Sequence, residues 1–181
     1  NYNGKDSFTH TVANDAEVPS YSSASVNLDI SAVNDGPIAV ADFGTVVSTA
    51  GTTVSVISND SDIDGDSLSI SAVTFEGTTI NNLTSETTVT GSQSDSNYTG
   101  STLTVDPISG TIKFNPDESW YKQLAEGESK TPEISYTVKD PAGLTSTSTL
   151  TVNVVGVNDA PEAISVSDAQ KLTLENGEVT V

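Results

Sequence analysis

The stretch EISYTVKDPAGLTSTSTLTVNV at residues 133–154 decides the fold class of this chain. Apolar and polar residues alternate on both sides of KDPAG, a cluster of turn-forming residues at 139–143. Alternation over four to eight residues is typical of a strand that buries one of its two faces. A turn cluster between two such segments indicates that the strands are neighbours. The segment therefore predicts half-buried antiparallel sheet.

Similar alternating segments, rich in Val, Ile and Thr, run through most of the chain. Further strands are predicted at 25–30, 53–58, 67–73, 101–105 and 111–114. Short strands with turn clusters at these spacings indicate an all-β fold, an antiparallel β-sandwich of about seven to nine strands. The expected core residues are Val40, Val54, Val56, Leu68, Ile70, Leu103, Ile112, Phe114, Trp120, Ile134, Tyr136, Val138, Leu150 and Val152.

Two segments depart from the strand pattern. Residues 76–100, rich in Thr, Ser and Asn, are expected to form a strand pair with a long exposed loop. This insertion makes the unit longer than the roughly 100 residues usual for such a sandwich. Residues 118–129 are expected to contain a short helical turn, in which Trp120, Tyr121 and Leu124 cover one end of the core.

The composition is strongly acidic. The chain has 25 Asp and Glu against 6 Lys and Arg, which gives a formal net charge of -19. Nucleic acids and anionic membranes are polyanions, so neither is an expected partner. No apolar run approaches the ~20 residues needed to span a bilayer, so membrane insertion is not expected either. The chain has no cysteine, which excludes disulfides and thiolate metal sites.

The chain contains an internal repeat. SAVNDGPIAV at 31–40 recurs as VGVNDAPEAI at 155–164, and DSFTHTVAND at 6–15 aligns with PEISYTVKDP at 132–141. Self-similarity at a fixed spacing is the signature of a repeat protein. Each copy of the phrase Val-Asn-Asp-small-Pro follows an alternating strand, so the phrase is interpreted as a linker between units.

This repeat divides the chain into three parts. Residues 1–34 are predicted to be the closing strands of a preceding repeat, residues 35–158 a complete sandwich, and residues 159–181 the opening strands of a following repeat. Unpaired strands expose backbone donors and acceptors that seek partners. The flanks are therefore expected to pack on the central unit or to exchange strands with neighbouring chains.

The loop NDSDIDGD at residues 59–66 carries four Asp residues at alternate positions. Carboxylate oxygens are the hard ligands that Ca²⁺ prefers. An EF-hand is excluded, because Ser71 stands where the bidentate Glu should be and because the flanking segments are strands. The glycine-rich nonapeptide that forms a calcium roll is absent as well. A solvated Asp-Gly turn without any metal is the alternative.

Several phrases occur here in a fixed order, namely NYNGKDSFTHTV, VNDGPIAVAD, NDSDIDGDSLSI, LAEGESKTPEISYTVKDPAG and VNDAP. In this order they resemble the cadherin-like or VCBS-type immunoglobulin-fold tandem repeats of giant bacterial RTX adhesins. The resemblance covers essentially the whole chain. It implies a secreted stalk on the bacterial cell surface, whose repeats are joined end to end through calcium and which serves cell attachment or biofilm formation.

The resemblance also implies ligands for Ca²⁺ from a linker, an Asp-x-Asp loop and a late strand. Carried onto this sequence, they are Asn34, Asp35, Asp62, Asp64 and Asp140. Asp60 and Asp66 are reserve ligands in the same loop. The second linker, with Asn158 and Asp159, repeats the first half of the arrangement.

Two functions remain open from the sequence. One is a calcium-stiffened extracellular spacer that contacts adjacent repeats of the same polypeptide. The alternative is a β-sandwich module that binds a carbohydrate or a peptide. An enzyme is not expected, because a Ser-His-Asp arrangement would depend on the single histidine, His10, which lies in an incomplete repeat.

Overall fold

The computed structural model of the chain describes residues 2–91, 100–117, 121 and 123–158, together with the backbone of residues 173–175 and 178–180. In chain order the strands are β1 (Gly4–Ala13), β2 (Tyr21–Ile30), β3 (Asp42–Val47), β4 (Thr52–Ser55), β5 (Ser69–Phe75), β6 (Thr78–Asn81), β7 (Thr87–Thr90), β8 (Thr102–Asp106), β9 (Thr111–Asn115), β10 (Ser129–Lys130), β11 (Ile134–Lys139), β12 (Thr145–Val155), β13 (Thr173–Glu175) and β14 (Glu178–Thr180). The predicted all-β fold is confirmed.

The central unit is built from two sheets. One has six strands, in which β10, β12, β11, β5 and β6 follow one another and β3 pairs with β12. The other has four strands in the order β4-β9-β8-β7. All pairs are antiparallel except β3 with β12, which run parallel from the pair Asp42 and Leu150 to the pair Val47 and Val155. The described part of this unit thus contains ten strands, more than the seven to nine predicted.

The inner faces of the two sheets form one apolar core. Ten of the fourteen predicted core residues are buried, because strict alternation places every second side chain of β8, β9 and β11 on the inner face. Val54 and Leu68 are only half-buried, Trp120 lies outside the described residues, and the prediction for Val40 is wrong because its side chain is 44% exposed. Further core residues are Val46, Val73, Phe75, Leu83, Val89, Val105, Tyr121, Leu124 and Val154.

A bulge interrupts the alternation of β5. Thr137 of β11 lies opposite Ala72, whereas the next residue, Val138, lies opposite Ile70. The extra residue is Ser71, whose hydroxyl donates to Thr137 O at 3.1 Å and whose carbonyl accepts from Leu83 N. A bulge shifts the side chains that follow it to the other face. Ile70 and Val73 therefore both reach the core although three positions separate them.

The insertion at residues 76–100 does contain strands, but they do not form a pair. β6 pairs with β5 in the larger sheet, whereas β7 pairs with β8 in the smaller one. The connection between β6 and β7 therefore crosses from one sheet to the other, and Leu83 within it enters the core. The expected strand pair is wrong because alternation identifies a strand without indicating its sheet. The expected exposed loop falls on residues 92–99, outside the described part of the chain.

The segment before β10 packs against the core as the sequence indicated. Tyr121 and Leu124 are buried, and Tyr121 N donates to Asp117 O while Leu124 N donates to Tyr121 O. The Tyr121 ring meets Phe114 edge-on at 6.4 Å, and Phe114 meets Phe75 edge-on at 6.0 Å. Edge-to-face pairs of this kind add to the stabilisation from burial.

The first two strands form a hairpin of their own. β1 pairs with β2 over ten residues, from Gly4 opposite Ile30 to Ala13 opposite Tyr21. One face of this hairpin is polar, with the Thr11 and Ser23 hydroxyls 2.7 Å apart. The other face carries apolar side chains that are 40–58% exposed, and these are Phe8, Val12, Leu28 and Ile30. At the other flank, the backbones of β13 and β14 pair antiparallel.

Candidate metal centre

The acidic loop between β4 and β5 folds on its own side chains. Asp62 Oδ1 accepts a hydrogen bond of 2.8 Å from Asp64 N, and Asp62 O accepts one from Gly65 N at 3.2 Å. Gly65 has a φ of 79°, a left-handed conformation that favours glycine because it has no Cβ. Asp and Gly at these positions therefore produce a tight turn that brings several carboxylates to one side.

Asp140 comes to the same end of the sandwich from the last residue before the β11–β12 turn. Its Oδ1 accepts from Gly143 N at 2.6 Å and from Leu144 N at 2.8 Å, and the residue is 2% exposed. The hydrogen bond from the Asn34 amide, followed by those from backbone amides of the turn, lowers the pKa of Asp140 despite its burial. Asp140 is therefore an ionised carboxylate held in one orientation.

The linker before β3 docks on both acidic segments. Asn34 Nδ2 donates to Asp140 Oδ2 at 2.6 Å, and Asp35 N donates to Asp64 Oδ2 at 2.7 Å. Three residues further on, Ile38 exchanges two backbone hydrogen bonds with Ser61 of the acidic loop. The linker, the loop and the β11–β12 turn thus meet in one place.

Three carboxylates converge at this meeting point. One oxygen each from Asp62, Asp66 and Asp140 lies within 4.8 Å of the others. Asp62 Oδ2 is buried and has no hydrogen-bond partner. The pKa of Asp66 is raised by burial and by the negative charges of Asp62, Asp140 and Asp64. The three carboxylates therefore repel one another, and one of their oxygens, Asp62 Oδ2, accepts no hydrogen bond.

This set suits a hard divalent cation. Ca²⁺ takes six to eight oxygen ligands from carboxylates, amide or backbone carbonyls and water. The three carboxylates supply negative charge, and a cation between them would satisfy the buried oxygen of Asp62. The all-oxygen donor set fits calcium better than zinc, which is bound mainly by nitrogen and sulfur.

The other predicted ligands have different places. Asp64 borders the group of three and uses one oxygen to accept from the linker amide of Asp35. Asp60 Oδ1 accepts from Val40 N at 2.8 Å, so this oxygen is turned towards the start of β3. At the opposite linker Asn158 is exposed, and Asp159 lies outside the described residues. The sequence treated Asp66 as a reserve, whereas the structure places its carboxylate within the group.

A groove of about 410 Å³ lies beside the end of β5, the start of β11 and the middle of β12. Its lining includes Thr74, Glu76, Pro132, Glu133 and Thr151. No aromatic side chain occurs among the described residues that line it, so it offers no ring on which a sugar could stack. The groove therefore gives the carbohydrate-binding alternative no specific support.

The two-layer fold and its acidic loop beside a linker define a β-sandwich module with a candidate metal site at the end that the linker enters. A family model described as a bacterial cadherin-like domain matches residues 34–156, which is more than half of the chain. The chain therefore belongs to the bacterial cadherin-like domain family. Domains of this family are extracellular or surface modules, commonly bind calcium and are typically not enzymes.

Two solved structures resemble the chain at low identity. A nucleoside hydrolase-related hypothetical protein from Saccharophagus degradans, associated with carbohydrate metabolism, is 19% identical, and the match covers 67% of this chain and 26% of that one with a TM-score of 0.41. Extracellular cadherin domains 3–6 of protocadherin gamma B2 are 15% identical over 84% of this chain and 33% of that one, with a TM-score of 0.46.

This chain thus spans about a quarter to a third of the length of those two structures. No curated protein matches it. Within the part of the chain that the structure describes, no helix is long and apolar enough to cross a membrane.

Proposed function

We propose that this chain is a calcium-stiffened spacer from the stalk of a large bacterial surface adhesin, of the RTX type that its phrases resemble. The observation that carries this proposal is the group formed by Asp62, Asp66 and Asp140, whose oxygens lie within 4.8 Å of one another beside the linker. Its role is mechanical rather than enzymatic. The stalk would hold a binding tip away from the cell during attachment or biofilm formation.

Asp62, Asp66 and Asp140 would hold the ion, and the linker is attached beside them because Asn34 donates to Asp140 and Asp35 donates to Asp64. A bound Ca²⁺ supplies positive charge that neutralises the repulsion between these carboxylates. Like charges at about 4 Å repel by roughly 1 kcal/mol in water and by more where the dielectric constant is lower. Relief of this repulsion favours the compact arrangement of loop and turn.

The contacts of the linker support stiffening as the consequence of calcium binding. Asn34 is bonded to the carboxylate of Asp140, and the amide of Asp35 is bonded to Asp64. A cation that fixes these carboxylates therefore also restrains the linker through them. Extracellular calcium would then convert a jointed chain of sandwiches into a rod after export.

Adjacent repeats of the same polypeptide are the partners that we propose. In the β1–β2 hairpin His10 lies opposite Ala24, and at the aligned position of β11 and β12 Tyr136 lies opposite Ser148. The hairpin thus has the pairing pattern of the closing strands of the central sandwich. Its apolar face corresponds to the face that the four-stranded sheet covers in that sandwich. Strand exchange with a neighbouring chain is the other way to cover it.

Calcium titration with and without chelator tests the proposed function. We expect the unmodified chain to bind Ca²⁺ in titration calorimetry and to melt at a higher temperature in calcium than in EDTA. At calcium a hundredfold above the dissociation constant, the gain in unfolding free energy is about 2.7 kcal/mol. The double variant Asp62→Asn/Asp66→Asn should lose this gain.

Asp15→Asn provides the matched control, since it removes a charge from the exposed turn between β1 and β2, at the opposite end of the hairpin from the linker. It should leave the calcium response unchanged. An unmodified chain that melts at the same temperature in calcium and in EDTA would contradict the proposal.

A further inference from the structure

A buried carboxylate and a buried phenol, those of Asp42 and Tyr136, meet where the linker enters the sandwich. Asp42, the first residue of β3, is 7% exposed and contacts the phenol of Tyr136 on β11, which is 1% exposed. Burial of a carboxylate is costly unless its charge is compensated. Asp42 lies opposite Leu150 of β12, so it sits at the beginning of the parallel strand pair.

The phenol of Tyr136 has more acceptors than it has hydrogens. Its oxygen lies 2.7 Å from Asp42 Oδ2, 2.8 Å from Val40 O and 3.1 Å from Val56 O. The first two are typical distances for O–H···O hydrogen bonds, which require a hydrogen between the oxygens. A phenol carries one hydrogen, and both backbone carbonyls are acceptors only. If Asp42 were ionised, two of the three contacts would join oxygens with no hydrogen between them.

We propose that Asp42 is a neutral carboxylic acid in the folded protein and acts as a pH-sensitive latch for β3. The Asp42 hydroxyl donates to the Tyr136 oxygen, and the Tyr136 hydroxyl donates onward to the carbonyl of Val40 or Val56. This arrangement places two hydrogens among the three contacts. It ties the start of β3 to the core strand β11 and to the end of β4.

The electrostatic surroundings of Asp42 agree with a bound proton. Burial is the main influence on Asp42 and raises its pKa, although its hydrogen-bond contacts with Tyr136 and Asn59 favour the ionised form. Burial and the negative charge of Asp60 raise the pKa of Tyr136, so the phenol keeps its own proton. Asp42 and Tyr136 face Asn59 and Asp60 of the acidic loop. They also face Ser148 of β12, whose side chain hydrogen-bonds Tyr136. None of these supplies a positive charge.

The sign of the pH dependence follows from the raised pKa. In the unfolded chain Asp42 ionises near its ordinary pKa of about 3.9, whereas in the folded chain it keeps its proton to a higher pH. The latch therefore contributes fully below the unfolded pKa and weakens as the pH rises through the folded pKa. The contribution of Asp140 to stability has the opposite pH dependence, because the pKa of Asp140 is lowered.

Asp42→Asn tests the latch, because the Asn amide can donate to Tyr136 at any pH. At low pH, urea unfolding in EDTA should show that the variant is as stable as the unmodified chain or less stable. For each pH unit between the two pKa values, its folded-to-unfolded ratio should then rise about tenfold relative to the unmodified chain. The matched variant Asp106→Asn removes a carboxylate whose pKa is lowered by hydrogen bonds from Ser109 and Ile108, so it should lose stability as the pH rises. If Asp42→Asn follows the slope of Asp106→Asn, Asp42 is an ionised acceptor and the proposal is wrong.

Carbon-detected NMR of the unmodified chain tests the latch without a substitution. The side-chain carboxyl signal of Asp42 should titrate with a midpoint above about 3.9. A midpoint at or below that value would overturn the proposal. Calcium titration gives an independent check, since the loss of one bound Ca²⁺ on Asp42→Asn would show that the carboxylate is an ionised metal ligand instead.

Discussion

At the scale of single residues, Asp side chains of this chain occupy contrasting environments. Asp140 is buried but accepts from an amide side chain and from backbone amides, which lower its pKa. Asp106 accepts from the amides of its own turn and also has a lowered pKa. Asp42 is buried against a phenol, and burial raises its pKa. Hydrogen-bond donors, rather than exposure alone, therefore decide which carboxyl groups carry charge.

The Asn34–Asp140 hydrogen bond should stabilise the domain in a pH-dependent way. Asn34→Ala removes the side-chain amide that donates to Asp140 Oδ2 at 2.6 Å. We expect the free energy of unfolding to fall near neutral pH, because a hydrogen bond to a charged group is lost. Because the pKa of Asp140 is lowered, this contribution is present above the unfolded pKa and is lost as the pH falls through the folded pKa.

Denaturant unfolding in EDTA at neutral and at acidic pH measures this effect. Asn27→Ala, on the exposed hairpin, is the matched control and should change the free energy of unfolding by less than about 0.5 kcal/mol. Equal losses for Asn34→Ala at both pH values would show that the bond to the Asp140 carboxylate is not the cause.

At the scale of elements, packing of strands and not their pairing separates the stable part of the chain from the rest. The strands of the central unit bury one face in a common core that contains Phe75, Phe114 and Tyr121. β3 contributes to this core through Val46, whereas its Phe43 points outward and is 77% exposed. Phe114 therefore contributes to stability through burial, whereas Phe43 does not.

Phe114→Ala should destabilise the central unit strongly. Removal of a fully buried phenylalanine costs about 3–5 kcal/mol, because apolar contacts are lost and a cavity is left. Phe43→Ala removes the same atoms from an exposed position and should cost less than about 0.5 kcal/mol. Urea unfolding of both variants checks the contrast, and similar losses for the two would contradict the described core.

The β1–β2 hairpin should be much less protected than β11–β12. A two-stranded hairpin is marginally stable when nothing covers its apolar face, whereas β11 and β12 lie between β5, β3 and the core. Hydrogen exchange of the unmodified chain should therefore be fast for the amides of β1 and β2 and slow for those of β11 and β12. Equal protection would mean that another surface covers the hairpin.

At the scale of the whole molecule, a net charge of -19 opposes compaction, and the group formed by Asp62, Asp66 and Asp140 concentrates part of that charge at the linker. Self-repulsion of this kind weakens a compact state unless counter-ions reduce it. The proposed ion would act at the place where one unit joins the next. Its binding would therefore stabilise the sandwich and restrain the linker together.

Calcium should straighten a protein in which two copies of residues 31–158 follow one another. Small-angle scattering should show a longer maximum dimension and a narrower distribution of shapes in calcium than in EDTA, because the docked linker loses its freedom. The same protein carrying Asp62→Asn and Asp66→Asn in the second copy should scatter alike in both conditions. Unchanged scattering of the unmodified pair would leave the spacer without its mechanical role.

The sequence by itself determined the local features of this protein. Alternation in residues 133–154 predicted β11 and β12, because a period of two residues is a property of the strand itself. The spacing of Asp and Gly in NDSDIDGD likewise predicted a tight acidic turn, because such turns depend on neighbouring residues. The family-specific phrases pointed to a cadherin-like repeat, and the matching family model bears this out.

Only the tertiary structure decided the relations between distant segments. β6 and β7 joined different sheets, and the bulge at Ser71 shifted the inward side chains of β5, because pairing and register depend on partners remote in sequence. Which carboxylates converge depended on how the loop, the β11–β12 turn and the linker pack, so Asp66 met Asp62 while Asp64 turned to the linker. The contact between Asp42 and Tyr136 had no local signal either, since 93 residues of chain separate them and only the closed sandwich brings a phenol against a buried acid.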